Sequence, residues 1–217
     1  MSNTLLADDI KAFQGELLPT IPENTMNTLM TELQELIANG IAEKSVHKGD
    51  TFPAFNLPNA NNELRPLSSF LSKGPLVISF YRGAWCPYCN LEINALQKRL
   101  PEIIAAGGQL VAISPQTPDK SIDQISASQL TFEVLSDVGN KLAKNCGLVF
   151  TLPESLRPIY DAWQIDIPGH NGDDSFELPI PATYIINTEG KIHYAFADMD
   201  YTKRLEPNII IEQLISL

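Results

Sequence analysis

Residues Leu76 to Cys89 read LVISFYRGAWCPYC: an apolar run, a turn with one glycine, then Cys86-Pro87-Tyr88-Cys89. Leu76-Val77-Ile78-Ser79-Phe80-Tyr81 is short, β-branched and aromatic, which predicts a buried strand. Gly74 and Pro75 punctuate its start, and Gly83 breaks it. Pro87 suits the first turn of a helix, where a missing N–H is no loss. Downstream, Leu91, Ile93, Leu96, Leu100 and Ile103-Ile104 recur near a helical period. The two cysteines therefore belong to a strand-to-helix junction, with Cys86 at the helix N-terminus. Free backbone N–H groups and the helix dipole favour an anion there. Such a position lowers a thiol pKa from about 8.5 toward about 3.5–7.5, and the thiolate is the reactive form. The spacing also brings both sulfurs to one end of the helix, close enough for a small disulfide ring.

The rest of the composition bounds what this junction can serve. A chain of 217 residues can bury a full core, as one domain with an extension or as two small ones. Hydrophobic content of 44% and charged content of 19% are those of a soluble globular protein. The net charge of −11 argues against nucleic acid or an anionic membrane as partner. Three cysteines are too few, and odd in number, for a disulfide scaffold. Met1 to Ile10 carries two aspartates and no basic residue or long apolar run, so no secretory leader is expected. No apolar stretch approaches a membrane span. These features predict a cytoplasmic protein, where a CxxC pair is more often catalytic or metal-binding than structural.

Along the chain, residues 1–45 read as a separate helical extension. Leu5, Leu6, Ile10, Phe13 and Leu17 share one face, Pro19 and Pro22 interrupt, and Leu29, Leu33, Leu36, Ile37 and Ile41 form a second stripe. Two such stripes need a surface to cover, either the main domain or the second copy in a homodimer. Residues 46–217 form the main domain. His47 to Lys73 is turn-rich, with a short strand expected at Ala54–Leu57 and a turn at Asn59–Asn62. Strands follow at Gln109–Ser114, Phe132–Ser136, Ala182–Asn187 and Lys191–Ala197, the last two joined tightly at Thr188-Glu189-Gly190. Helices are expected at Pro118–Ser128, Gly139–Asn145, Glu154–Trp163 and from Pro207, and a loop at Pro168–Asp174. Strands alternating with helices imply crossovers and a largely parallel sheet.

Four blocks carry a family resemblance: Lys48-Gly49-Asp50-Thr51-Phe52-Pro53-Ala54-Phe55, Ser79 to Cys89, Leu178 to Asn187, and Asp198 to Pro207. Over residues 46–217 the chain resembles the thioredoxin superfamily and, within it, the peroxiredoxin-like members of the alkyl hydroperoxide reductase and thiol-specific antioxidant family. The resemblance implies a thioredoxin-like α/β fold, a central mixed sheet with helices on both faces, here preceded by the N-terminal extension. It puts Cys86 at the place of the peroxide-attacking cysteine and Cys89 at the place of the second thioredoxin cysteine. Pro181 falls at the place of the cis-proline that faces the dithiol, which would set the Ile180 backbone beside the sulfurs. Thr183 follows in the same block. Peroxiredoxins carry Pro-x-x-x-Thr-x-x-Cys before the reactive sulfur. Ser79 and Gly83 stand at those two places, and Pro181 lies where the family has a supporting arginine. Arg82 and Arg204 are candidates to supply that charge. A surface arginine bound to a carboxylate is the alternative for each.

The implied reaction is attack of the Cys86 thiolate on a hydroperoxide to give a sulfenic acid. Cys89 then closes a Cys86–Cys89 disulfide, which thioredoxin or glutathione reduces. No cofactor is required. Cys86 is expected to be the more exposed and acidic sulfur, Cys89 the more buried. Two other readings stand beside this one: a disulfide reductase or exchange protein without peroxidase activity, and a non-catalytic module that binds partners through its N-terminal helices. A structural zinc site would need four ligands. Cys146, His47, His170 and His193 share no ligand spacing, so no metal is expected. Cys146 reads as a buried free thiol, Trp85 and Tyr88 as partly exposed packing around the cysteines, and His170 as solvated. Asp198, Asp200 and Glu206 read as capping and ion-pairing groups near Arg204.

Overall fold

The computed structural model describes residues 5–217, the side chain at position 123 excepted. Of the extension read over residues 1–45, the first four lie outside that range. In chain order the helices that open the chain are α1 (Leu6–Leu17), α2 (Glu23–Ala38) and α3 (Ile41–Lys44). A hairpin of β1 (Asn56–Pro58) and β2 (Leu64–Pro66) leads through α4 (Leu67–Leu71) to β3 (Leu76–Phe80) and α5 (Pro87–Ala105). Next come β4 (Gln109–Ser114), α6 (Pro118–Ser128), β5 (Glu133–Ser136) and α7 (Lys141–Asn145). The chain continues with β6 (Val149–Thr151), α8 (Arg157–Ala162), α9 (Ile167–Asn171), β7 (Glu177–Pro179), β8 (Ala182–Ile186), β9 (Ile192–Ala197) and α10 (Pro207–Ile215).

The central sheet has the order β5-β4-β3-β8-β9. Strands β3, β4 and β5 run parallel, whereas β8 is antiparallel to β3 and β9 to β8. The expectation of a largely parallel sheet thus holds for one half only. The tight Thr188–Gly190 connection can only return the chain as a hairpin, and that makes the sheet mixed. The first short strand begins at Asn56, two residues later than its apolar pattern suggested. The stretch 168–174 is not all loop. Asp166 caps a helical turn there, its Oδ1 accepting from Gly169 N–H at 2.9 Å, with Pro168 in the first turn.

Strand β3 reads as uninterrupted apolar sequence because both of its faces are covered. Leu76, Ile78 and Phe80 point into one core with Val111, Ile113, Leu135, Tyr184 and Cys146. Val77 and Tyr81 point into the other, with Ile93, Leu96, Ile185, Cys86 and Cys89. The period of two along the strand therefore assigns the dithiol to one face and Cys146 to the opposite one.

Helix α1 joins the dithiol face. Leu6 and Ile10 are buried in its core, and the Glu206 carboxylate accepts from the backbone N–H groups of Leu6 (3.1 Å) and Ala7 (2.7 Å). A carboxylate at that end satisfies orphan donors and offsets the helix dipole. Of the two surfaces open to the N-terminal stripes, α1 therefore covers its own chain. Among the described residues, no helix is long and apolar enough to cross a membrane.

Candidate active site

The turn between β3 and α5 is held from three sides. Ala84 N–H donates to Gln116 Oε1 at 2.8 Å, and Asn90 Nδ2 donates to Ala84 O at 2.8 Å. Asn90 is in turn bound by Gln124, whose Oε1 accepts from the Tyr81 hydroxyl at 2.8 Å. Gly83 sits at φ +149°, a conformation that side-chain-bearing residues avoid. A Cβ built there would strike the Trp85 indole and lie 2.9 Å from Gln116 Oε1. A threonine therefore does not fit at the place where peroxiredoxins carry one, because the indole fills its volume. At the other departure, Ser79 is paired on both sides within the sheet and donates to Glu92 Oε1 at 3.4 Å.

Cys86 is the N-cap residue of α5, with Pro87 in the first turn and no side-chain cap. The positive end of a five-turn helix therefore faces this sulfur, with no acidic residue in the first turn to neutralise it. Arg82 Nη2 donates to Cys86 Sγ at 3.1 Å, and Arg82 Nη1 donates to the Tyr160 hydroxyl at 3.1 Å. The guanidinium is stacked between rings, 4.2 Å from the centre of Tyr201 and 5.1 Å from that of Trp85. Burial works against charge on Cys86. A hydrogen bond from the Cys89 thiol and the charges of Arg82 and Arg204 overcome it and hold the Cys86 pKa well below the ordinary thiol value. Cys89 is displaced the other way, raised well above the ordinary value by burial and by the negative sulfur beside it. The two free thiols are thus split into one sulfur that favours the anion and one that keeps its proton.

Arg204 stands behind Cys89 rather than at the surface. Its side chain is fully buried and forms an ion pair with Glu92, Nη1 to Oε2 at 2.5 Å. Nη2 reaches Tyr201 O at 2.6 Å and Cys89 Sγ at 3.5 Å. Burial pushes the Glu92 carboxyl up, against the pull of Arg204. The acidic groups around this arginine have other partners. Lys203 Nζ lies 3.5 Å from Asp198 and 3.9 Å from Asp200, and Glu206 caps α1.

Four expectations need correction. Cys86 is not the more exposed sulfur: both Cys86 and Cys89 have 0% exposure, because Arg82 and the aromatic rings close over the first. Attack on a substrate therefore requires that cover to part. The Ile180–Pro181 bond is trans, as is every described peptide bond, and Ile180 N–H is spent on Leu148 O at 2.9 Å. The strand pairing that bends the chain at Pro181 takes the donor that a cis-proline turn would offer to a bound thiol. Tyr88 is buried, in edge contact with Phe13 and Tyr201, while Trp85 keeps partial exposure. His170 is half-buried rather than solvated, and burial together with Lys120 lowers its pKa.

The remaining residues singled out in the sequence fall around the same centre or away from it. Pro181 lines a cavity of about 20 Å³ together with Arg82, Tyr160 and Tyr201. Thr183 lies opposite Ser79 in the sheet, on the dithiol face, with its hydroxyl buried and without a partner. Cys146 is in the other core, its thiol pushed up to about 12 by burial and by the charge of Asp137. Among the described residues no three His, Cys, Asp or Glu side chains converge as metal ligands would. Sequence reading missed Glu92, Tyr160 and Tyr201. Glu92 was findable: three residues after Cys89 and four before Leu96, it falls on the buried stripe of the helix. Tyr160 was not, since 78 residues separate it from Arg82.

Comparison with known proteins agrees with this geometry. The AhpC/TSA family pattern matches residues 48–195. A putative peroxiredoxin of Mycobacterium tuberculosis is 34% identical over 144 residues, which cover 66% of this chain and 80% of the relative. Chloroplastic peroxiredoxin Q of Populus jackii is 32% identical over 120 residues, 54% of this chain and 56% of the relative's length. Among solved structures, the peroxidoxin BcpB of M. tuberculosis superposes with a TM-score of 0.63 at 22% identity, over 79% of this chain and 98% of that one. The thiolate at a helix mouth, the mixed sheet beneath it and the match over residues 48–195 lead to one conclusion: the chain belongs to the AhpC/TSA family of peroxiredoxins.

Proposed function

We propose that this protein is a thiol peroxidase in which Cys86 is the nucleophile and Cys89 the resolving thiol. The observation that carries the reading is the donor contact from Arg82 to the Cys86 sulfur, 3.1 Å long, at an uncapped helix start. The Cys86 thiolate attacks one peroxide oxygen. An S–O bond forms, the O–O bond breaks, and the leaving oxygen departs as alkoxide or hydroxide, which takes up a proton. Arg82 faces the charge that moves from sulfur to oxygen and replaces the hydroxyl that Gly83 lacks. The sulfenic acid is then attacked by Cys89, releasing water and leaving the disulfide. Arg204 stabilises the Cys89 thiolate at that moment, and Glu92 keeps the arginine in place. Trp85, Pro181 and Thr183 shape the surroundings. A dithiol such as thioredoxin, or glutathione, returns both thiols, once the cover over Cys86 has opened.

The same reading includes a cytoplasmic location and an extension over residues 1–45 distinct from the domain over 46–217. A homodimer would be visible as a doubled mass in sedimentation. A protein that trades disulfides with large partners would keep a sulfur exposed, and Cys86 is closed. The deciding experiment follows loss of hydrogen peroxide with thioredoxin and its reductase. Turnover that disappears in Cys86→Ser supports the peroxidase. Insulin reduction without peroxide turnover would replace it with disulfide exchange.

A further inference from the structure

Residues 5–38 precede the family-matched region, and the reaction just described gives them no task. They enclose a cavity of about 500 Å³. Phe13 and Leu17 of α1 and Met26, Leu29, Met30 and Leu33 of α2 form one wall. Trp85, Tyr88 and Trp163 form the other, and Arg82 lies at its inner boundary. The same Arg82 donates to Cys86 Sγ at 3.1 Å, so the guanidinium on the cavity wall touches the nucleophile. Hydrogen peroxide needs little more room than water, whose share of liquid volume is about 30 Å³. Cavities of about 300–1,000 Å³ with mostly apolar walls suit organic molecules.

We propose that α1 and α2 build a binding site for the apolar tail of an organic hydroperoxide, which they aim at Arg82 and Cys86. The proposal rests on the peroxidase reading and adds the part of the chain that selects among hydroperoxides. The tail is uncharged: Asp200 is the carboxylate on the lining and the chain carries a net charge of −11, both adverse to a fatty-acid head. Each methylene buried against the wall raises affinity about fourfold. When the O–O bond breaks, the tail leaves on the reduced oxygen as an alcohol. That oxygen takes its proton from water or from the Cys89 thiol, and Cys86 keeps the other oxygen.

The chain has two tryptophans, Trp85 and Trp163, and both line the cavity. Their fluorescence therefore reads occupancy without any turnover. Titration with 1-octanol is expected to give a saturable change. Leu33→Glu is expected to weaken it about tenfold and to lower kcat/KM for cumene hydroperoxide by a similar factor. The rate with hydrogen peroxide should change less than twofold. Met30→Glu, at a position 48% exposed and so tolerant of charge, is expected to act in the same direction by a smaller factor. Equal losses with both peroxides, or no saturable octanol response in the wild type, would overturn the tail site while leaving peroxide reduction intact. Octanol binding without turnover of either peroxide would overturn the peroxidase reading, and with it the identity of the head group.

Discussion

Cys86 and Cys146 are both free, both fully buried and only sixty residues apart, yet they differ in kind. Cys146 ends a five-residue helix on the far face of the sheet, and burial together with Asp137 pushes its thiol up to about 12. Cys86 begins a long helix, touches a guanidinium and is held well below the usual thiol value. Burial does not decide the reactivity of a thiol. The sign of the charge that accompanies it into the interior does.

The comparison can be broken outright at the sulfurs. Cys86→Ser is expected to abolish peroxide turnover. Cys89→Ser is expected to accumulate a sulfenic acid at Cys86, visible as a dimedone adduct by mass spectrometry. Adduct at Cys146 instead would invert the assignment.

Removing the cation is the next largest perturbation. Arg82→Gln should raise the Cys86 pKa by about 1–3 units, so the alkylation midpoint moves upward in pH. At a pH below both midpoints the thiolate fraction then falls by about a hundredfold for a two-unit shift. A more basic thiolate is a better nucleophile, with a Brønsted slope of about 0.4–0.5. The net loss in iodoacetamide rate in that pH range is therefore about tenfold. Peroxide turnover should fall further, by about 10²–10³, because the leaving oxygen also loses its donor. An unchanged alkylation midpoint would show that the helix end, Cys89 and Arg204 hold the thiolate without Arg82.

A smaller effect is expected behind Cys89. Arg204→Met leaves the Glu92 carboxylate buried without its partner, a loss of about 3–5 kcal/mol when charged. Glu92 already has a raised pKa in the wild type, and in the variant it rises further. The destabilisation should therefore be least at low pH, where the carboxyl is neutral in both states. It should grow as pH climbs from the unfolded value, near 4.3, toward the raised folded value. Denaturant melts at pH 4 and pH 7 would expose this difference; equal losses would mean that Glu92 is neutral in the native protein. The smallest change belongs to Cys146→Ala, about 1–2 kcal/mol of core packing with peroxide turnover unaltered.

Much of this was legible before folding. The LVISFYRGAWCPYC stretch declares strand, turn and helix, and its cysteines fall where a helix begins. Local chemistry, however, says nothing about closure. The rings that pack around Arg82 come from residues 85, 160 and 201, and only one of them is near in sequence. Arg204 looked like a surface group because its carboxylate partner lies 112 positions away. Pro181 was expected to be cis by analogy, but the β6–β7 pairing that claims Ile180 N–H involves strands of three residues each, too short to carry a pattern. The turn at Asp166–Gly172 was missed because Pro, Gly and Asn signal a loop even where an aspartate cap and a proline can start a helix.

The proximity of Cys89 has a consequence for how the protein wears out. Peroxide-consuming thiols are lost when a second oxidant molecule reaches the sulfenic acid before a partner thiol does, giving an irreversible sulfinate. Here Cys89 lies in the first turn of the helix that Cys86 begins, and its thiol is among the groups that hold the Cys86 pKa down. The intermediate also lies beneath Arg82, Trp85 and Tyr201, away from bulk oxidant. Such an arrangement trades speed of entry for endurance, and it suits a catalyst that must survive long exposure to its own substrate.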